Sequence, residues 1–164
     1  MPVVSSNKDV EKHSLTFVAE FSAPVERVWQ VWQDPRQLER WWGPPSWPAT
    51  FVRHEFAPGG ESRYFMTGPT GERAGGWWRI ESVEPPNRFS VIDGFAAEDG
   101  EPDPDMPQSR MEVTLEAVAG GTKMTVVGTY ATAEEFEKVA AMGMEQGMTL
   151  ALGQIDELLA VKFA

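Results

Sequence analysis

A chain of 164 residues with 41% hydrophobic side chains and seven tryptophans is long enough to bury a core and too apolar to remain disordered. Its formal charge of −11 argues against nucleic acid and anionic membranes, which need a basic patch, and the lack of cysteine removes disulfides, thiolate zinc sites and cysteine nucleophiles. No run approaches the roughly 18 apolar residues of a membrane span, and residues 1–13 hold no apolar stretch of signal-peptide length, so a cytoplasmic location is expected.

Met1 to His13 is polar and aperiodic and reads as a flexible arm over residues 1–13, ahead of a single domain over residues 14–164. From Ser14 the pattern alternates, with Leu15, Phe17, Ala19 and Phe21 on one face of a half-buried strand. Pro24 opens a short helix to about Trp32. Asp34-Pro35-Arg36-Gln37 opens a second, with Asp34 as cap, Pro35 at the first position and Gln37 reaching back. That helix carries Leu38, Trp41 and Trp42 before Gly43-Pro44-Pro45 stops it.

Strands punctuated by turns follow: Thr50 to Phe56, Glu61 to Thr67, Ala74 to Val83, Arg88 to Phe95, Ser109 to Ala117 and Thr122 to Tyr130. Consecutive strands joined by short turns favour an antiparallel meander, and the order of elements reads as α+β. The chain then predicts one long helix from Ala131 to Val161, started by the capping pair Thr132 and Glu135. Met144, Met148, Leu152, Ile155 and Leu159 share one face of it. Gly143, Gly147 and Gly153 each cost about 1 kcal/mol relative to alanine in a helix, so a close neighbour or a need for space should explain them. The expectation is a helix that closes the open face of a curved sheet and leaves a cavity between the two.

Ala23-Pro24-x-x-x-Val28-Trp29 and Asp34-Pro35-x-x-Leu38-x-x-Trp41-Trp42-Gly43-Pro44 resemble the opening of the START-like (SRPBCC) superfamily. The similarity is to its bacterial group related to the activator of the heat-shock-protein-90 ATPase. Pro58-Gly59-Gly60, Gly68-Pro69, Pro85-Pro86-x-Arg88-Phe89, Asp93-Gly94-Phe95 and Met142-Gly143-Met144-Glu145-x-Gly147 fit in order, so the resemblance runs from Leu15 to Leu159. It implies a helix-grip fold: a curved antiparallel sheet of six or seven strands, two short helices, and a long C-terminal helix enclosing an apolar cavity. It also implies a range of functions, from binding lipids and other apolar molecules to cyclase or hydrolase chemistry and contact with a chaperone.

The cavity is expected to be lined by Trp29, Trp32, Trp41, His54, Phe56, Tyr64, Met66, Trp78, Val113, Met144, Met148 and Leu152. If Phe56 points inward, strand parity turns Val52 and His54 inward too, where the imidazole could orient a ligand or move a proton; a histidine satisfied by its neighbours is the plainer alternative. Tyr64 and Met66 share a face with Ser62, giving one phenol in an apolar wall, while Arg63 should be solvated. Tyr130 can act likewise or simply end the core. Glu145 is either solvated or an inward acid with a raised pKa. One of Trp41 and Trp42 should be partly exposed, and Trp77 should face away from Trp78 as a rim or contact surface.

No metal site emerges. The acidic loop Ala96 to Gln108 fails the calcium pattern, since the twelfth residue from Asp99 is Arg110 and the sixth from Glu101 is Met106. No cofactor motif is present either. The first function is therefore binding of a hydrophobic small molecule in the cavity. The second is a cyclase or hydrolase using His54, Tyr64 or Glu145, although no acid and base stand at a diagnostic spacing. The third is a co-chaperone-like interaction domain, or a homodimer, meeting its partner through an exposed tryptophan.

Overall fold

The computed structural model describes residues 3–160, with side chains from residue 5 onward. Eight strands form one antiparallel sheet: β1 Val3–Asp9, β2 Ser14–Phe21, β3 Ala49–His54, β4 Glu61–Thr67, β5 Arg73–Glu84, β6 Arg88–Ala96, β7 Ser109–Val118 and β8 Gly121–Tyr130. Their order across the sheet is β1-β2-β8-β7-β6-β5-β4-β3, so β3 to β8 run as a meander and β2 closes against β8. Helices α1 Val25–Gln33 and α2 Pro35–Trp41 lie between β2 and β3, while α3 Ala133–Ala141, α4 Met144–Leu152 and α5 Ile155–Ala160 follow β8. Among the described residues no helix is long and apolar enough to cross a membrane.

Local chemistry accounts for the helix starts. The Asp34 carboxylate accepts from the Arg36 backbone N–H at 2.9 Å and from the Gln37 side-chain amide at 3.0 Å, so cap and third residue lock together. Thr132 Oγ1 accepts from the Glu135 N–H at 3.1 Å at the head of α3. The Arg27 guanidinium donates to the Leu158 carbonyl at 3.0 Å, and the Gln154 amide donates to the Gly43 carbonyl at 2.8 Å. These bonds fasten the C-terminal helices to α1 and to the loop after α2.

Five expectations need correction. The expected arm contains a strand, which makes the sheet eight-stranded rather than six or seven: β1 pairs along β2 from Val3↔Ala19 to Asp9↔Ser14, held by backbone bonds that a polar sequence does not advertise. Met1 and Pro2 lie outside the described residues. The long helix is three helices, because Gly143 adopts φ +84°, a left-handed conformation that ends α3 and caps α4, and a second turn at Gly153-Gln154 precedes α5. Val161, its expected end, is beyond the described residues. Val52 is 67% exposed, since a bulge between Phe51 and Arg53 reverses the parity of β3.

The tryptophans supply the fourth correction. Trp41 and Trp42 are both buried, because Trp42 has left the helix (φ −74°, ψ 112°) and its side chain is no longer set by helical spacing. Trp77 is buried as well. Its indole lies over Gly94 on the neighbouring strand, where a Cβ would come within 2.6 Å of the ring, and its Nε1–H donates to the Phe95 carbonyl at 3.1 Å. Arg63, opposite Trp77 in the register, is half-buried rather than solvated and donates to the Gly100 carbonyl at 3.0 Å. Trp77 therefore presents no exposed anchor for a protein partner or a second copy.

Candidate functional site

A cavity of about 530 Å³ lies between the sheet and the C-terminal helices. Cross-strand registers bring the lining residues Tyr64, Asp93, Phe95, Ser109 and Tyr130 onto one face of the sheet, continuous with core residues. One row runs His54–Ser62–Trp78–Asp93–Ser109–Tyr130 across β3 to β8, and a second runs Phe51–Tyr64–Gly76–Phe95 across β3 to β6. Directly paired residues share a face, so each row presents its side chains to the same side of the sheet. Met144, Gly147, Met148 and Ala151 of α4 and Val139 of α3 form the roof. Gly43, Pro44, Trp47, Pro107 and the 54% exposed Met142 complete the lining.

Two glycines create room in different ways. Gly76 sits opposite Tyr64, and a Cβ there would come within 2.2 Å of the phenol ring, so the bare backbone lets the ring lie flat across β5. Phe51 stacks on the other side at 4.8 Å, and Trp42 stands edge-on at 6.0 Å. Held this way, the Tyr64 hydroxyl donates toward Asp93 Oδ1 at 3.4 Å, a long bond. Gly147 is the converse: nothing stands within 4 Å of where its Cβ would be, and the space it leaves belongs to the cavity.

Asp93 is the chemical centre. Burial raises its carboxyl from the usual carboxylate range to about 7, against the opposing pull of hydrogen bonding from Tyr64 and the nearby Trp78 indole. The Trp78 Nε1–H faces the carboxyl and the Trp42 Nε1–H faces the Tyr64 hydroxyl oxygen, neither closing a geometrically sound hydrogen bond. Burial, and then the Asp93 charge, drive the Tyr64 phenol well above its ordinary pKa and that of Tyr130 up to about 12. Asp93 keeps some accessible surface and lines the cavity, so its polar atoms are within reach of an occupant.

Of the residues expected to line a cavity, the structure brings together Tyr64, Met66, Met144 and Met148 around this space. Trp29, Trp32, Trp41, Trp78, Val113 and Leu152 are packed into the core, and Phe56 rests against Trp29 and Phe89. His54 is not among the lining residues. Its Nε2 meets the Trp32 carbonyl at 2.9 Å and its Nδ1 meets Ser62 Oγ at 2.7 Å. A carbonyl can only accept, so Nε2 carries the proton and Nδ1 accepts from the serine hydroxyl. Burial lowers the His54 pKa in agreement with a neutral ring. Glu145 faces away, taking a 2.8 Å hydrogen bond from Ser6 and bordering a separate small hollow with Lys8 and Leu15.

His54 is thus a strut between α1 and β4. His54→Ala is expected to cost about 2 to 3 kcal/mol in urea unfolding, by leaving a buried hydroxyl and a carbonyl unpaired, and to leave cavity binding unchanged. Asp93, Trp42 and Phe95 were missed as lining residues. Asp93 had one available signal, a carboxylate in the inward parity of Phe89, Val91 and Phe95 on β6.

The sheet, the C-terminal helices across one face and the cavity between them define a START-like protein of helix-grip architecture. The chain belongs to the family of Activator of Hsp90 ATPase homolog 1-like proteins, whose family model matches residues 22–160. Protein Ms6760 from Mycobacterium smegmatis is 49% identical with a TM-score of 0.90, covering 99% of this chain and all of that one. The solution structure of a protein from Arthrobacter aurescens is 51% identical with a TM-score of 0.93, over 96% of this chain and 92% of that one. An AHSA1 protein from Silicibacter pomeroyi, 19% identical with a TM-score of 0.74 over 90% of this chain and 97% of that one, shares the fold. No curated protein matches the sequence.

Proposed function

We propose that the protein is a cytoplasmic binder of a hydrophobic small molecule, held between the sheet and α4 and oriented by Tyr64 and Asp93. The supporting observation is the 530 Å³ cavity, mostly walled by aromatic and thioether side chains, with a few polar groups converging at one point. That size and make-up are typical of small-molecule sites. Each Å² of apolar ligand surface removed from water would contribute roughly 25 cal/mol, and the methionines of α4 can shift to fit varied shapes.

Gly147→Phe tests this reading, because the new ring projects into open space and occupies the cavity. The uncharged fluorophore phenylnaphthylamine should bind the wild-type protein saturably, and the variant should weaken it about tenfold or more with its unfolding transition retained. Equal binding by both proteins, or no saturable binding at all, would refute the container. A second reading, acid–base catalysis, draws support from the Asp93 pKa of about 7, near the ideal for proton transfer at neutral pH. In that case Asp93 and Tyr64, rather than His54 and Glu145, would be the reacting groups.

A further inference from the structure

The charge pattern of the cavity narrows the class of occupant, on the premise that the cavity holds a small molecule at all. Among the described residues its lining holds no Lys, Arg or His, and Asp93, Tyr64 and Tyr130 are its titratable side chains. Asp93 meets neutral groups on the neighbouring strands, Tyr64 on β4, Trp78 on β5, Ser109 on β7 and Tyr130 on β8, and the cavity wall from α3 and α4 is Val139, Met144 and Met148. Among the described residues no cation answers this carboxylate in its apolar chamber, which is a costly arrangement when empty. Around it stand the rings of Trp42, Tyr64 and Tyr130, whose electron-rich faces attract a cation as well as apolar surface.

We propose that the ligand is an apolar organic amine, its nitrogen received by Asp93 among these rings, and that the cavity rejects carboxylates of the same skeleton. A protonated amine supplies the partner charge that Asp93 lacks and donates the hydrogen bonds its oxygens can accept. A fatty-acid headgroup would instead place a second negative charge beside Asp93 with no counterion. The buried Trp42 and Trp78 Nε1–H groups are neutral donors and bring no positive charge to offset such an anion. Binding requires ionised Asp93, so it strengthens as pH rises through the range where that group titrates, while an alkylamine stays protonated throughout.

Calorimetric titration with decylamine, decanol and decanoate below their micellar concentrations tests the assignment. At pH 8 decylamine should bind about tenfold or more tighter than decanol, and decanoate weakest of the three. Lowering the pH to 6 should weaken the amine about tenfold and leave decanol unchanged, because the ionised fraction of a group near pH 7 falls by that factor. Asp93→Asn, checked for folding by the near-ultraviolet dichroism of the tryptophan cluster, should bring decylamine down to the affinity of decanol in the same variant. Amine affinity that survives Asp93→Asn would mean attraction to the acidic surface and would overturn the proposal, as would decanoate binding as tightly as the amine. Decanol binding without amine preference would overturn it while leaving the container intact. Failure of all three to bind would remove the container reading and this one together.

Discussion

Asp93→Asn is expected to stabilise the protein by roughly 3 to 4 kcal/mol at pH 8 and by nearly nothing at pH 4. The carboxyl titrates near 7 when folded, against its ordinary value of 3.8, because burial penalises its charged form. Below about pH 4 both states are protonated and the group is neutral in the balance. Between 4 and 7 the unfolded chain releases the proton while the folded one keeps it, so stability falls by about 1.4 kcal/mol per pH unit; above 7 the loss is constant. Summed over about three units this gives the stated figure, with water in the cavity pulling toward its lower end. His54 works the other way, since burial lowers its pKa and stability falls as pH drops through the unfolded value of 6.5. Subtracting wild-type from variant unfolding energies at each pH cancels His54 and leaves Asp93 alone. A difference that does not change between pH 4 and 8 would show that Asp93 is solvated as an ordinary carboxylate.

That sensitivity is the thermodynamic face of a site that sequence patterning only partly exposes. Alternation places Tyr64 and Met66 on the inner face of β4, and the strand runs over the expected Glu61–Thr67. Caps at Asp34 and Thr132 locate helix starts because their chemistry is local. What alternation lacks is the third dimension. His54 points inward because the bulge after Phe51 resets the alternation of β3, but whether it meets a ligand or the Trp32 carbonyl depends on where α1 docks. Trp77 has outward parity and is still buried, because a glycine on the next strand leaves a trough for its ring. Asp93 stood in an inward series of apolar residues, yet within Asp93-Gly94-Phe95 it read as a family mark rather than a cavity acid. The cost of Gly143 in a long helix was visible; that it would be met by ending the helix rests on a left-handed backbone angle.

Trp32→Ala should lower the melting temperature by about 10 to 20 °C, while Trp32→Phe should retain ligand affinity. Trp32 is fully buried, stands edge-on to Trp41 at 4.6 Å and to Phe89 at 5.0 Å, and directs its Nε1–H to Met124 Sδ at 3.3 Å. Truncating such a ring removes its transfer energy and opens a void that neighbouring rings cannot fill, typically about 3 to 5 kcal/mol. Aromatic pairs contribute a further 0.5 to 1.5 kcal/mol each, so the upper part of the range applies. For a domain of this size each kcal/mol moves the midpoint by about 2 to 4 °C, which sets the expected shift. Phenylalanine keeps much of the packing and the edge-to-face geometry, and Trp32 does not line the cavity, so the variant should bind phenylnaphthylamine as the wild type does. Lost affinity in a stably folded Trp32→Phe would mean that core and cavity are one deformable volume; retained affinity would place the specificity of the site in the Tyr64–Asp93 wall, with the tryptophan cluster as the support that holds it in register.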